Sequence, residues 1–189
     1  MSVSGNTSFK VRITAGDMRG RTMRVPDIEG LRPTPSRVRE ALFNILGDLQ
    51  HASVLDLFAG SGVMGLEALS RGASSVLSIE SDRAACQAMK VIQESWRIEG
   101  WTIQSASLPK ALPAGQHFDF IFADPPYNTG LAAQIPAWIA KQGISYTNLV
   151  IEESSRSRLQ WKQDILPVQS RKYSETTLYF FTANMETSS

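Results

Sequence analysis

A glycine-rich segment constrains the fold of this chain more than any other feature. Gly60, Gly62 and Gly65 give the spacing G-x-G-x-x-G, directly after the apolar run 53–58 and at the start of a helical pattern over 62–71. Glycines at this spacing let the chain turn tightly and leave room for a ligand close to the backbone above a parallel sheet. The segment therefore predicts a strand, a binding loop and a helix. On its own it leaves the ligand open, because dinucleotide-binding folds use the same device.

Strand and helix patterns alternate through the chain after this loop. The predicted strands are 75–80, 102–106, 118–123 and 149–153, and the predicted helices are 82–99 and 131–141. This alternation indicates a parallel sheet covered by helices on both faces. The last two strand-like runs, 165–170 and 176–182, have no helix between them and therefore predict an antiparallel hairpin at one edge.

The first forty residues have a different organisation. Residues 9–15 and 21–25 read as two strands joined by a turn at 17–20. Thr34 is suited to cap the next helix, with Pro35 in its first turn. The apolar stripe of that helix (Val38, Leu42, Ile45, Leu46 and Leu49) leaves Arg37, Arg39 and Glu40 largely off it. We predict disordered tails at 1–8 and 184–189, a hairpin extension at 9–30 and a main domain at 31–183.

Composition excludes several classes of protein. The single cysteine cannot form an intramolecular disulfide, and the two histidines lack the spacing of zinc ligands, so we expect no metal. The polar N-terminus lacks the apolar segment of a signal peptide, and no window offers the roughly 20 apolar residues that cross a bilayer. We expect a cytoplasmic protein that does not contact membranes.

Two acidic residues narrow the ligand of the glycine-rich loop. Asp56 lies inside the strand before the loop, where a carboxylate suits a ligand with a positively charged amino-acid portion and disfavours a pyrophosphate. Glu80 ends the next strand, where an acid can accept both ribose hydroxyls of an adenosine. We expect Glu67 to be a solvated surface residue and Asp82 to be an N-terminal charge of a helix. The candidate cofactor-binding residues are Asp56, Phe58, Gly60, Ser61, Gly62, Glu80 and Ser107, with Ser105 as an alternative to Ser107.

The segment Asp124-Pro125-Pro126-Tyr127 ends the strongest predicted strand and is the candidate catalytic site. Two consecutive prolines remove two backbone donors and stiffen the loop, which leaves an acceptor-rich corner beside the flat ring of Tyr127. An exocyclic base amine offers two N–H donors and is a poor nucleophile. Acceptors that bind its hydrogens raise electron density on nitrogen, and Tyr127 can stack on a base that has left its helix. With Asp56 and Glu80, this corner predicts methyl transfer from S-adenosylmethionine to such an amine, in line and without a metal.

At this point the chain resembles a known family, the bacterial 16S rRNA guanine-N2 methyltransferases of the RsmD type. The segments that carry the resemblance are 11–16 with Gly20 and Arg21, 32–46, 54–72, 123–127 and 172–178. The segment 32–46 is the discriminating one, because other amine methyltransferases share only the loop and the tetrapeptide. Two features depart from the family pattern. Ser174 stands where the family usually has glycine, and the acid that many methyltransferases carry on the third strand is absent.

The resemblance implies a fold and a substrate. The fold is the Rossmann-like class I methyltransferase fold, with a seven-stranded, mostly parallel sheet, an antiparallel last strand and an N-terminal β-hairpin. The substrate is N2 of a guanine in 16S rRNA, within the assembling or assembled small ribosomal subunit, and we expect a monomeric enzyme.

The N-terminal region is basic, because residues 1–40 carry eight Lys and Arg against four Asp and Glu. With the resemblance, this makes five arginines candidate contacts to RNA. They are Arg19, Arg21, Arg24, Arg32 and Arg37. Arg32, Arg37 and Arg39 could instead hold the cofactor carboxylate or frame the start of the helix.

Other functions stay open at this stage. A DNA adenine-N6 or protein glutamine amide methyltransferase would use the same corner, although the chain has no sizeable target-recognition domain. A non-catalytic RNA-binding assembly factor would not need Asp56, Glu80 and the tetrapeptide together. A dinucleotide oxidoreductase is the most distant alternative.

Overall fold

The computed structural model describes residues 8–26, 34–162 and 165–182. Within these ranges, seven strands form one sheet and two more form a separate N-terminal hairpin. The predicted tails lie outside the described residues, except for Ser8, which begins the first strand. Arg32 and Pro33, which precede Thr34, also lie outside the described residues.

The hairpin consists of β1 (Ser8–Arg12) and β2 (Thr22–Pro26), which pair antiparallel with Phe9 opposite Val25. The inward side chains of these strands, among them Val11, Met23 and Val25, join the same buried cluster as Val38 and Leu42 of the following helix. The predicted hairpin is therefore confirmed, and it shares a hydrophobic core with the main domain.

The remaining elements follow in chain order. They are α1 (Ser36–Leu46), β3 (Ser53–Leu57), α2 (Val63–Ser70), β4 (Ser75–Glu80), α3 (Arg83–Trp96), β5 (Trp101–Ser105), β6 (His117–Ala123), a 3-10 turn (Ala132–Gln134), α4 (Ile135–Lys141), β7 (Ser145–Ser154), β8 (Gln169–Tyr173) and β9 (Thr176–Thr182). Most predicted elements are found within a few residues of their expected bounds. The largest differences are β7, which begins earlier than predicted, and β8, which begins later.

The order of the large sheet is β5-β4-β3-β6-β7-β9-β8. β3 is central and pairs in parallel with β4 and β6, and β6 pairs in parallel with β7. β9 is antiparallel to both of its neighbours, β7 and β8, which confirms the predicted edge hairpin and the antiparallel last strand. After β3 the chain adds β4 and β5 on one side of it, and then crosses to add β6 and β7 on the other side. The carboxyl ends of β3, β4 and β6 therefore border one crevice at this switch in strand order.

One turn and two helix starts bear on the sequence predictions. Ser174, in the tight turn between β8 and β9, has a φ of 51°. A left-handed residue is required there, which explains why glycine suits this position. The residue that precedes α1 is Pro35, with no side-chain cap, so the prediction that Thr34 caps this helix is wrong. Asp82 does cap α3, because its carboxylate accepts from the N–H of Ala85 at 2.8 Å.

Candidate active site

The glycine-rich loop leaves β3 and enters α2 through several left-handed residues. Phe58, Gly60 and Gly62 have φ values of 58°, 52° and 74°. The N–H of Gly60 donates to Oε2 of Glu80 at 2.8 Å, and the N–H of Gly62 donates to the carbonyl of Ala59 at 2.7 Å. The loop is thus folded back on itself and attached to the end of the next strand, as a binding loop at a carboxyl edge requires.

Two of the glycines are needed because other groups approach them closely. A Cβ on Gly62 would lie 2.6 Å from both Sδ of Met89 and Cζ2 of Trp101. A Cβ on Gly65 would lie 2.9 Å from a methyl group of Val76, so a side chain there would push α2 away from the sheet. Close packing of α2 holds the loop in place above β3.

Asp56 lies beneath this loop and is only 1% exposed. Its carboxylate accepts hydrogen bonds from the Ser78 hydroxyl, at 3.2 Å, and from the backbone N–H of Gly65. Burial raises the pKa of Asp56 to about 7; the two hydrogen bonds oppose this rise, and the neighbouring Glu80 carboxylate adds to it. Asp56 therefore supports the loop from below and adds negative charge whenever it is ionised.

Glu80 lies at the rim of the crevice, at the end of β4. Its Oε1 accepts from the N–H of Asp82 at 2.7 Å and from the hydroxyl of Ser81 at 3.2 Å, and its Oε2 accepts from the N–H of Gly60. The carboxylate is therefore held in a fixed orientation, and Oε2 keeps a lone pair for a further donor. Ser107 is exposed, two residues beyond β5, which pairs with β4. Ser61 is buried, and its hydroxyl accepts from the N–H of Val63 at the start of α2 at 3.4 Å.

The tetrapeptide begins directly after β6, the strand beside β3. The N–H of Asp124 donates to the carbonyl of Leu57 at 3.3 Å, which places the start of the tetrapeptide beside the end of β3, where the glycine-rich loop begins. Pro125 is buried and Pro126 is exposed. Burial, and next the carboxylate of Glu152, raise the pKa of Asp124 well above its usual range. The structure thus brings the predicted catalytic and cofactor-binding segments together at one edge of the sheet.

Tyr127 is anchored by its hydroxyl. The hydroxyl donates to Oε1 of Glu152 at 2.7 Å and lies 2.5 Å from Oγ1 of Thr176, while the side chain remains 39% exposed. Glu152, Glu153 and Thr176 were not among the site residues predicted from the sequence. Two adjacent acids at the end of the apolar run 149–151 were the available signal, since acids are rarely buried unless they have partners.

Glu153, the neighbour of Glu152, is fully buried and holds the residue after the tetrapeptide. Its Oε1 accepts from the N–H of Asn128 at 3.2 Å, the N–H of Ser154 at 2.7 Å and the hydroxyl of Ser157 at 3.0 Å. Its Oε2 has no hydrogen-bond partner among the described residues. With Asp56, Asp124 and Glu152, Glu153 makes this end of the sheet strongly acidic.

The structure places the candidate RNA-binding arginines in different settings. Arg19, Arg24 and Arg37 are exposed. Arg24 also lines a narrow gap between the hairpin and the loop residues Gly60 and Ser61. The guanidinium of Arg21 lies 4.2 Å from the ring centroid of Trp96 on α3, a cation–π contact that ties the hairpin to that helix.

Two predictions about charged residues were wrong. Glu67 is fully buried rather than solvated, and Arg39 is only 2% exposed rather than lying off the packed face of α1. Nε of Arg39 lies 3.2 Å from Oε1 of Glu67, and Arg71 lies 3.6 Å from Oε2. Sequence periodicity could not reveal this pair, because the hairpin covers both residues only in the folded protein.

Within the described ranges there is no cluster of three or more His, Cys, Asp and Glu side chains arranged to hold a metal ion. No helix in those same ranges is both long and apolar enough to span a membrane.

The sheet order, the antiparallel β9 and the glycine-rich loop at the carboxyl edge define a class I methyltransferase fold. A solved structure of the same fold is the T. thermophilus 16S rRNA N2 G1207 methyltransferase RsmC in complex with AdoMet and guanosine. It has a TM-score of 0.70 and 22% identity, and the match covers 94% of this chain and 50% of that one.

The family follows from sequence. Residues 11–182 match the family model described as Conserved hypothetical protein 95. The ribosomal RNA small subunit methyltransferase D of Escherichia coli (strain K12) is 38% identical over 153 residues, covering 77% of each chain. The protein of the same name from Haemophilus influenzae is 42% identical over 138 residues, covering 68% of this chain and 70% of the relative. The chain belongs to this family, the RsmD-type methyltransferases.

Proposed function

We propose that this protein transfers a methyl group from S-adenosylmethionine to the exocyclic N2 amine of a guanine in 16S rRNA of the small ribosomal subunit. The observation that carries the proposal is the hydrogen bond from the N–H of Asp124 to the carbonyl of Leu57, which brings the start of the tetrapeptide beside the end of β3, where the glycine-rich loop begins. Family membership supports the ribosomal RNA substrate, since the relatives from E. coli and H. influenzae are named as small-subunit rRNA methyltransferases. The finer choice of guanine N2 rests on the RsmD-type resemblance.

The residues around the loop fit this cofactor. Gly62 has no room for a side chain, so the loop packs directly on Met89 and Trp101. Glu80 presents fixed acceptor oxygens that suit the two ribose hydroxyls. A cationic ligand favours the ionised forms of Asp56, Asp124 and Glu152, whose pKa values burial raises, whereas a pyrophosphate would disfavour them, so these acids suit S-adenosylmethionine better than a dinucleotide.

In this proposal Asp124 accepts a hydrogen bond from the target amine and so raises the electron density on nitrogen. The ring of Tyr127 supports the flipped base and directs its amine toward the donor. S-adenosylmethionine supplies the methyl group on a positively charged sulfur. When that charge is neutralised by transfer, the raised pKa of Asp124 makes its carboxylate a suitable acceptor for the proton that the amine releases.

One experiment tests the substrate and the reaction together. Labelled S-adenosylmethionine is offered with unmodified small subunits, naked 16S rRNA, duplex DNA and ribosomal protein, and the methylated atom is mapped by mass spectrometry. We expect label on guanine N2 of the rRNA. Label on adenine N6 of DNA, or on a protein amide, without label on rRNA would overturn the proposal. RNA binding without any transfer would favour the non-catalytic assembly factor.

A further inference from the structure

Glu152 is a buried carboxylate whose contacts are all hydroxyl groups. It is 1% exposed and lies near the end of β7. Its Oε1 accepts from Tyr127 at 2.7 Å and from Thr176 at 2.9 Å, and its Oε2 accepts from Thr34 at 3.1 Å. Three elements that are far apart in sequence therefore meet on one side chain.

Stability alone does not account for this residue. The ion pairs among the described residues do not include Glu152, and its carboxylate lies near that of Asp124. A buried carboxylate without a cation is costly to keep ionised, and burial raises the pKa of Glu152 accordingly. An apolar side chain at this position would avoid that cost, but it would leave the hydroxyls of Tyr127 and Thr34 without their acceptor.

The contact to Tyr127 restricts how the exposed ring can move. The tyrosine hydroxyl donates to Glu152 and lies against the hydroxyl of Thr176, which donates to the same oxygen, and Pro125 and Pro126 restrict the backbone before the ring. The N–H of the following Asn128 is held by Glu153. A ring that is fixed in this way presents one defined face to a base and loses little conformational entropy when the base binds.

The contact to Thr34 continues toward the hairpin. The carbonyl of Thr34 accepts from Nη1 of Arg39, and Nη2 of Arg39 donates to the carbonyl of Arg12 at the end of β1 at 2.6 Å. A chain of hydrogen bonds thus runs from the hairpin through Arg39, Thr34 and Glu152 to the ring of Tyr127.

We propose that Glu152 is a positioning residue that fixes the ring of Tyr127 for the target base and links that ring to the docked hairpin through Thr34. The proposal rests on the proposed function, in which Tyr127 supports the base. Glu152 does not contact the reacting atoms in this scheme, and it acts through the tyrosine hydroxyl.

The test compares Glu152→Gln, Glu152→Ala, Thr34→Val and Tyr127→Phe in the full-length protein. Ring-13C-labelled tyrosine gives NMR signals from the four tyrosines, and Tyr127→Phe identifies the signal of Tyr127. Glutamine keeps an oxygen for Tyr127 and Thr176 and offers its amide N–H to Thr34, so Glu152→Gln should retain the signal of Tyr127 and most of kcat. Glu152→Ala should shift or broaden that signal and lower kcat on rRNA by about 10- to 100-fold, with KM for S-adenosylmethionine changed less than about twofold.

A double variant and Thr34→Val test whether Glu152 acts through Tyr127 and whether the hairpin is linked to the ring. Combining Glu152→Ala with Tyr127→Phe should lower kcat no more than the more damaging single change, because both remove one interaction. Thr34→Val should shift the signal of Tyr127 by less than Glu152→Ala, and an unmoved signal would overturn the link to the hairpin. If Glu152→Ala does not fold, the signal of Tyr127 in Thr34→Val and the kcat of Tyr127→Phe still decide the proposal, because an unmoved signal in the first and native kcat in the second would overturn it.

An unchanged signal and kcat in Glu152→Ala, or equal loss in Glu152→Gln and Glu152→Ala, would overturn the positioning role. The NMR comparison needs no activity. A shifted signal in a protein that methylates no RNA would therefore reject the proposed function and retain the positioning of the ring.

Discussion

Arg39 and Glu67 form a buried ion pair, with Nε of Arg39 3.2 Å from Oε1 of Glu67. Glu67 also accepts from the N–H of Thr14 at 2.8 Å and from the Thr14 hydroxyl at 2.9 Å. The pair therefore joins α1, α2 and the segment after β1, and it holds the hairpin against the domain beside the cofactor loop.

Removing one member of this pair should strongly destabilise the protein, because it leaves the other charge buried without its partner. We expect Glu67→Ala to lower the free energy of unfolding by about 3–5 kcal/mol in urea denaturation. The matched control is Glu175→Ala, which removes the exposed ion pair with Arg156 at 3.0 Å and should cost less than about 1 kcal/mol. Equal losses in the two variants would contradict the role given to Glu67.

Asp124→Asn should lower kcat by about 100- to 1,000-fold, since the amide no longer offers two acceptor oxygens and cannot take the proton. Binding of S-adenosylmethionine, measured by calorimetry, should change only a few-fold. Asp119→Asn is the control. Asp119 lies near the amino end of the same strand, away from the crevice, and its carboxylate accepts from the N–H and the hydroxyl of Ser53. Native turnover in Asp124→Asn would refute a catalytic carboxylate.

Gly62→Ala should destabilise the protein more than Gly115→Ala. Both glycines have a positive φ, 74° and 67°, but a Cβ on Gly115 would meet no atom within 4 Å. The left-handed backbone should cost each alanine about 1–2 kcal/mol. Overlap with Met89 and Trp101 should add about 1–3 kcal/mol at Gly62 and weaken cofactor binding. The difference in thermal unfolding between the two variants measures this overlap, and no difference would contradict it.

Asp56 should make the protein less stable as the pH rises. Its pKa is raised from 3.8 to about 7 by folding, so the unfolded chain loses this proton first. The contribution of Asp56 to the free energy of unfolding should therefore fall between about pH 4 and pH 7 and level off above that range. The full contribution of this shift is roughly 4 kcal/mol. Asp56→Asn should flatten the pH profile of chemical denaturation, and an identical slope in both proteins would show that Asp56 is not the titrating group.

The exposed arginines of the hairpin should contribute to RNA affinity by binding phosphates. Changing Arg19, Arg21 and Arg24 to alanine together should reduce the dependence of log K on log salt by about 0.7–0.9 for each phosphate that these side chains neutralise. Lys141→Ala is the control. Lys141 ends α4 and precedes the amino end of β7, whereas the crevice lies at the carboxyl ends of the strands. A salt dependence that is unchanged in the triple variant would remove the hairpin from the RNA interface.

Local sequence patterns were sufficient for much of the fold and the site. Local signals predicted three parts of the site: the strand before Gly60, the helix after Gly62 and the tetrapeptide after β6. Glycine, proline and the spacing of apolar residues determine the backbone conformation of their immediate neighbours. Their meeting at one edge also followed from sequence, since parallel strands place their carboxyl ends together. The pairing of Glu80 with the loop at Gly60 gives that prediction a definite geometry.

The tertiary structure decided the partners of the buried polar residues. Thr34, predicted to cap α1, donates to Glu152, which lies 118 residues later, and Glu67, predicted to be solvated, is sealed beneath the hairpin. A hydroxyl or a carboxylate accepts whatever partner the fold brings within about 3 Å, and periodicity carries no record of that distance. The sequence by itself thus determined the elements and the reactive corner, while only packing between distant segments determined which charges are buried and how the ring of Tyr127 is held.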